Sequence, residues 1–212
     1  MYDCILFDFD GTVFDTVEGI SKSVQYALEK FGIVEEPEAL RCFAGPPLLA
    51  MFQEKYGFTP EAAQQATDYF RERYRPIGIH ESRPFPGIKE LLEALRAAGR
   101  KTGIATTKPQ ILAEQLLTES GLIAYFDVIC GSGADGNSPK WQLAERAMKA
   151  LGASRESTVL VGDTKYDAIG AEQCGIGFIG AGYGYAAQGE LEAAGAERII
   201  ESVEDLKKAL IG

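Results

Sequence analysis

Ile5-Leu6-Phe7-Asp8-Phe9-Asp10-Gly11-Thr12 runs a short apolar stretch into two aspartates and a glycine turn. Cys4 to Phe7 reads as a buried strand, and Gly11-Thr12 turns the chain sharply enough to leave backbone N–H groups facing an anion. Asp8 and Asp10, at i and i+2 on extended chain, project to one face, where two carboxylates repel unless a cation or a proton relieves them. Taken alone, the pair is also explained as a turn or a helix N-cap with solvated aspartates.

Outward from this stretch, short β-rich runs alternate with helical periodicity. The strands expected are Cys4 to Phe7, Lys101 to Ala105, Phe126 to Cys130, Thr158 to Val161, Gly177 to Ile179 and Arg198 to Ile200. Ile88, Leu91, Leu92 and Leu95 share one helical face, as do Trp141, Ala144, Met148 and Leu151. This alternation predicts an α/β fold, a Rossmann-like parallel sheet flanked by helices. From Val17 to about His80 no strand is expected, while Val17, Ile20, Val24, Leu28 and Phe31 recur at helical spacing. An ordinary connection spans about 2 to 6 residues, so residues 16–81 are read as an inserted α-helical cap and residues 1–15 with 82–212 as the core. Arg83-Pro84-Phe85-Pro86-Gly87 reads as the hinge or linker back to the core.

Composition narrows the function classes. The 212 residues carry a net charge of -10, which disfavours a nucleic-acid polymer as partner, because phosphate backbones are met by Lys and Arg clusters. Cys4, Cys42, Cys130 and Cys174 form no CxxC pair and read as reduced core residues. No signal sequence and no membrane-spanning run is read, so a cytoplasmic protein without a membrane partner is expected.

In open α/β sheets, ligands collect beyond the carboxyl ends of strands. Four sets of polar residues fall there. Asp8 and Asp10 end the first strand, Thr106 and Thr107 the second; Lys140, in Asn137-Ser138-Pro139-Lys140, follows the third, and Asp163 and Asp167 follow the fourth. Asp163 and Asp167, in Gly162-Asp163-Thr164-Lys165-Tyr166-Asp167, are also placed to cap a helix. Gathered together, these carboxylates form a hard oxygen set suited to Mg²⁺. A threonine hydroxyl can donate to a phosphoryl oxygen. A lysine opening a helix runs against the macrodipole unless an anion is held there.

The four elements, in this order, resemble the four motifs of the haloacid dehalogenase superfamily phosphatases: Asp8-Phe9-Asp10-Gly11-Thr12, Thr106, Lys140, and Gly162 to Asp167. The resemblance implies Asp8 as nucleophile and Asp10 as acid and then base. It implies Mg²⁺ held by Asp8, the Asp10 carbonyl and Asp163, with Asp167 as a ligand or outer-shell support. Phe9, Asp10, Thr106, Thr107 and Lys140 would bind phosphate or substrate. Thr107 stands where relatives often have Asn.

The insert, with Phe43-Ala44-Gly45-Pro46-Pro47-Leu48, is similar to the phosphoglycolate phosphatase-like group and its 5'-nucleotidase-like branch, and implies specificity set by the cap. A small phosphorylated metabolite is the expected partner, hydrolysed by a monomer or homodimer. The alternatives are a 5'-nucleotidase acting on nucleoside monophosphates, a phosphosugar mutase and a phosphate-sensing protein. His80 reads as a surface or linker residue, Met51 and Phe52 as cap core, and Tyr183-Gly184-Tyr185 as a loop feature.

Overall fold

A computed structural model of the chain describes residues 2–133 and 138–212; Asn137 therefore lies outside the described residues. The elements in chain order are β1 (Cys4–Phe7), β2 (Phe14–Asp15), α1 (Val17–Glu29), α2 (Leu48–Tyr56), α3 (Pro60–Tyr74), β3 (Arg83–Pro84), α4 (Ile88–Ala97), β4 (Lys101–Pro109) and α5 (Gln110–Glu119). There follow β5 (Val128–Ser132), α6 (Lys140–Leu151), β6 (Thr158–Gly162), α7 (Lys165–Cys174), β7 (Gly177–Ala181), α8 (Glu190–Ala193), β8 (Ile199–Ile200) and α9 (Val203–Ile211). The chain forms two compact units, Met1–Phe14 with Pro84–Gly212, and Asp15–Arg83.

In the first unit a six-stranded parallel sheet has the order β5-β4-β1-β6-β7-β8. Every residue of β1 is buried, which is why its sequence is continuously apolar rather than alternating. Cys4 and Leu6 join Leu143, Ala144, Ala147 and Met148 of α6 and Ala171 and Cys174 of α7 in one apolar cluster. By strand alternation Ile5 and Phe7 face the other way, and Phe7 meets Phe126 edge-on at 6.2 Å. The strand order reverses direction at β1: β4 and β5 extend to one side, β6 to β8 to the other. That switch point is where α/β sheets open a crevice.

The second unit is helical. Its α3 starts at Thr59, whose side chain accepts from the Ala62 amide, with Pro60 at the first helical position, and α2 ends on Gly57 in the left-handed region. Phe31, Phe43, Phe52 and Phe58 form its aromatic core, with Phe43–Phe52 at 5.1 Å and Phe31–Phe58 at 4.8 Å.

Several boundaries differ from the sequence reading. β4 continues four residues past Ala105 to Pro109, because an irregular register keeps it bonded to β5 although its residues turn polar. The segment Arg83-Pro84, read as linker, is half of a two-stranded ribbon with β2. Cys42 is exposed and not core: it lies on a 3-10 turn, Pro37–Phe43, that buries Leu40 and Phe43 instead. Met51 is half-buried, Phe52 fully buried and His80 exposed. No helix among the described residues is long and apolar enough to cross a membrane.

Candidate active site

Strand register brings the polar strand ends together. Phe7 lies opposite Ile104 of β4 and Val161 of β6, so Asp8 emerges between these neighbours, and its amide donates to the Val161 carbonyl at 2.9 Å. One step on, β4 presents Thr106 and β6 presents Asp163. From the start of α6, Lys140 reaches in and sits 2.7 Å from Asp8 Oδ1 and 2.7 Å from Asp167 Oδ1. Both contacts are ion pairs without a directed hydrogen bond. The lysine that opens a helix against its dipole is thus held by two carboxylates, with the Ala105 carbonyl at 3.3 Å.

The carboxylates at the end of β6 are held more tightly. Asp163 Oδ1 accepts from the Thr12 hydroxyl at 3.0 Å and Oδ2 from the Tyr185 amide at 2.9 Å. Asp167 Oδ2 accepts from the amide and hydroxyl of Thr164, at 3.0 and 2.8 Å. Asp167 is therefore both a helix cap and a site residue, its remaining Oδ1 turned to Lys140. Gly11 is needed for this closeness: its φ is +79°, and a Cβ there would collide with the Asp163 carboxylate. Gly184 is crowded by Asp163 in the same way.

Thr106 is buried, and its Oγ1 accepts from the Lys108 amide at 3.2 Å, which leaves the hydroxyl proton to donate elsewhere. Thr107 is half-buried; its carbonyl accepts from Ser132 Oγ at 2.6 Å. The Phe9 ring is fully buried and stacks on Phe14 at 4.6 Å, so any part it takes in anion binding runs through its main chain.

Three features escape the sequence reading. Lys108, buried, places its ammonium 2.9 Å from Asp10 Oδ1 and 3.3 Å from Oδ2. Its signal was position, two residues past Thr106 at the irregular end of β4. Thr12 holds the Asp163 carboxylate as well as turning the chain. Tyr183-Gly184-Tyr185, read as a loop, closes behind Asp163, with the Tyr183 hydroxyl donating to the Thr12 carbonyl at 3.0 Å.

Asp8, Asp163 and Asp167 each offer an oxygen within 4.8 Å of the others, and all three are buried. Against them stands one ammonium, so the cluster is short of positive charge in a low-dielectric setting. Burial pushes the Asp8 carboxyl up to about 6, reinforced by Asp167 and opposed by Lys140. Burial likewise drives Asp163 upward, with Asp167 and Asp8 adding to it. For Lys140, burial disfavours the charge, but Asp167 and Asp8 outweigh it and the ammonium is held above its ordinary range. Three buried carboxylates that share one ammonium fit a hard divalent cation as a further partner.

The profile of the haloacid dehalogenase-like hydrolases matches residues 5–181. A 5'-nucleotidase of Pseudomonas aeruginosa is 41% identical over 195 residues, covering 91% of this chain and 88% of that protein. A phosphoglycolate phosphatase of Caulobacter vibrioides is 29% identical, with 98% of this chain and 90% of that one covered. The crystal structure of a predicted phosphatase from Clostridium acetobutylicum matches with a TM-score of 0.94 at 40% identity, covering 100% of this chain and 99% of that one. With a family match over most of its length that takes in every carboxylate of the cluster, the chain belongs to the haloacid dehalogenase-like hydrolases, among their phosphoric monoester hydrolases.

Proposed function

We propose that the protein hydrolyses a small phosphomonoester through a phosphoryl group carried on Asp8. The observation that supports this most is the Asp8 carboxylate itself: buried, 2.7 Å from Lys140, two residues from Asp10 and within 4.8 Å of Asp163 and Asp167. An Asp8 oxygen attacks phosphorus and the bond to the leaving oxygen breaks, with Asp10 giving that oxygen its proton. A water then attacks the aspartyl-phosphate, Asp10 takes the water's proton, and inorganic phosphate leaves with Asp8 restored. Thr106 and Lys140 hold the transferred oxygens in both halves. Mg²⁺, held by Asp8, the Asp10 carbonyl, Asp163 and Asp167, would supply charge neutralisation at those oxygens.

For the substrate, 41% identity to a 5'-nucleotidase against 29% to a phosphoglycolate phosphatase favours a nucleoside 5'-monophosphate over phosphoglycolate. Substrate choice is assigned in this reading to the helical insert. The test is phosphate release in Mg²⁺ from nucleoside 5'-monophosphates, phosphoglycolate and p-nitrophenyl phosphate. Nucleotides turned over with the highest kcat/KM are expected. Turnover of phosphoglycolate alone would overturn the substrate, and release from none of the three would overturn the hydrolase reading.

A further inference from the structure

Adjacent parallel strands carry two i, i+2 pairs at the site: Asp8 with Asp10 after β1, and Thr106 with Lys108 on β4. The register of β4 against β5 is irregular between Thr106 and Pro109, and it is the short distance from its ammonium to Asp10 that brings Lys108 to the site. The Lys108 amide is tied back to Thr106 Oγ1 at 3.2 Å, its ammonium lies 5.5 Å from the centre of the Phe9 ring, and its carboxylate partner is Asp10 at 2.9 Å. The two aspartates thus have separate cations, Lys140 at the start of α6 for Asp8 and Lys108 on β4 for Asp10.

Resting on the phosphatase reading above, we propose that Lys108 is a second phosphate-binding cation, which exchanges the Asp10 carboxylate for an oxygen of the substrate. The Asp10 pair is an exchangeable contact between one positive and one negative charge. A phosphate dianion brings twice the charge and oxygens with tetrahedral reach, and the ammonium has three donors on a flexible stem with which to follow it. Lysine binds phosphate as a point charge and does not need a bidentate geometry, so a shift of the head group with the stem still buried is sufficient. If Lys108 serves only to hold Asp10 in place, its removal leaves phosphate affinity alone once Asp10 has lost its charge.

That difference is measurable at equilibrium. Wild type is first assayed for Mg²⁺-dependent hydrolysis of p-nitrophenyl phosphate; failure there removes the phosphatase reading and not Lys108 in particular. Binding of inorganic phosphate in Mg²⁺ is then followed by titration calorimetry. Asp10→Asn removes the carboxylate charge that competes with phosphate for Lys108 and is expected to bind phosphate more tightly than wild type. Adding Lys108→Met to Asp10→Asn should weaken it by about 10- to 100-fold, with Lys108→Arg recovering part of the loss. The Mg²⁺ titration and melting temperature, both followed alongside, should stay near those of Asp10→Asn; Lys108→Gln replaces Lys108→Met if the latter melts early. Phosphate affinity within about twofold of Asp10→Asn in the folded double variant overturns the proposal.

Discussion

The strand ends of β1 and β6 each present two carboxylates and hold them by different means. At β6, both oxygens of Asp163 and one of Asp167 accept directed hydrogen bonds from Thr12, Tyr185 and Thr164. At β1, Asp8 and Asp10 face ammonium groups, and Asp8 Oδ1 has no directed hydrogen bond. Hydroxyl and amide donors fix a carboxylate in one orientation, whereas an ion pair leaves it able to change partners. In the proposed mechanism this contrast makes β6 the scaffold and β1 the reactive edge of one cluster.

The contrast breaks most visibly at Asp8. In the proposed mechanism Asp8 is the attacking group, and Asp8→Asn should lower Mg²⁺-dependent phosphate release by at least about a thousandfold while the protein stays folded. Retention of more than a few per cent of the rate, about one part in thirty of the expected loss, would return Asp8 to the role of a mere ligand. On the scaffold side the effect should appear in metal affinity. Asp163→Ala should raise the Mg²⁺ concentration for half-activation by at least about 100-fold, and Thr12→Val by about 10-fold with full rate regained at high Mg²⁺. A Thr12→Val titration that overlays wild type would mean that the hydroxyl does not preorganise Asp163.

The polar residues at the strand ends were largely legible in the sequence, and the groups that hold them were not. The apolar run before Asp8 named a strand, and hard chemical types at successive strand ends named Thr106, Lys140, Asp163 and Asp167. Such residues announce themselves through their order and spacing, because each alone is also explained as a cap, a turn or a strand-end residue. Lys108 was hidden by the unexpected length of β4, since a polar residue beyond Ala105 looked like loop. Thr12, Tyr183 and Tyr185 act on Asp163 from 151, 20 and 22 residues away, through a hydroxyl, a carbonyl relay and a main-chain amide. Main-chain donors carry no residue signature, so nothing in the identity of Tyr185 foretells its bond. Cys42 failed for a related reason: an apolar flank does not specify which side of a short 3-10 turn is buried.

The smallest expected effect concerns stability and sharpens the same contrast. In the metal-free protein the Asp8 carboxyl sits near 6 because of burial first and Asp167 second, against an ordinary 3.8. The folded state thus binds this proton more strongly than the unfolded state. The corresponding stability is fully present below about pH 4 and is lost as pH rises through about 6, where Asp8 ionises in the folded protein. Asp163, shifted in the same direction, carries the loss further up the pH scale. Melting temperature in chelator should therefore fall from about pH 5 to about pH 7.5 more steeply in wild type than in Asp8→Asn, which has no such proton to lose. With Mg²⁺ as the proposed ligand of the ionised cluster, stabilising by mass action, its addition should raise the melting temperature more at about pH 7.5 than at about pH 5. Scanning calorimetry of the two proteins, each with chelator and with Mg²⁺, reads both differences. Parallel pH curves for wild type and Asp8→Asn would show that the strain of the metal-free cluster does not reside in Asp8 but in the carboxylates that follow β6.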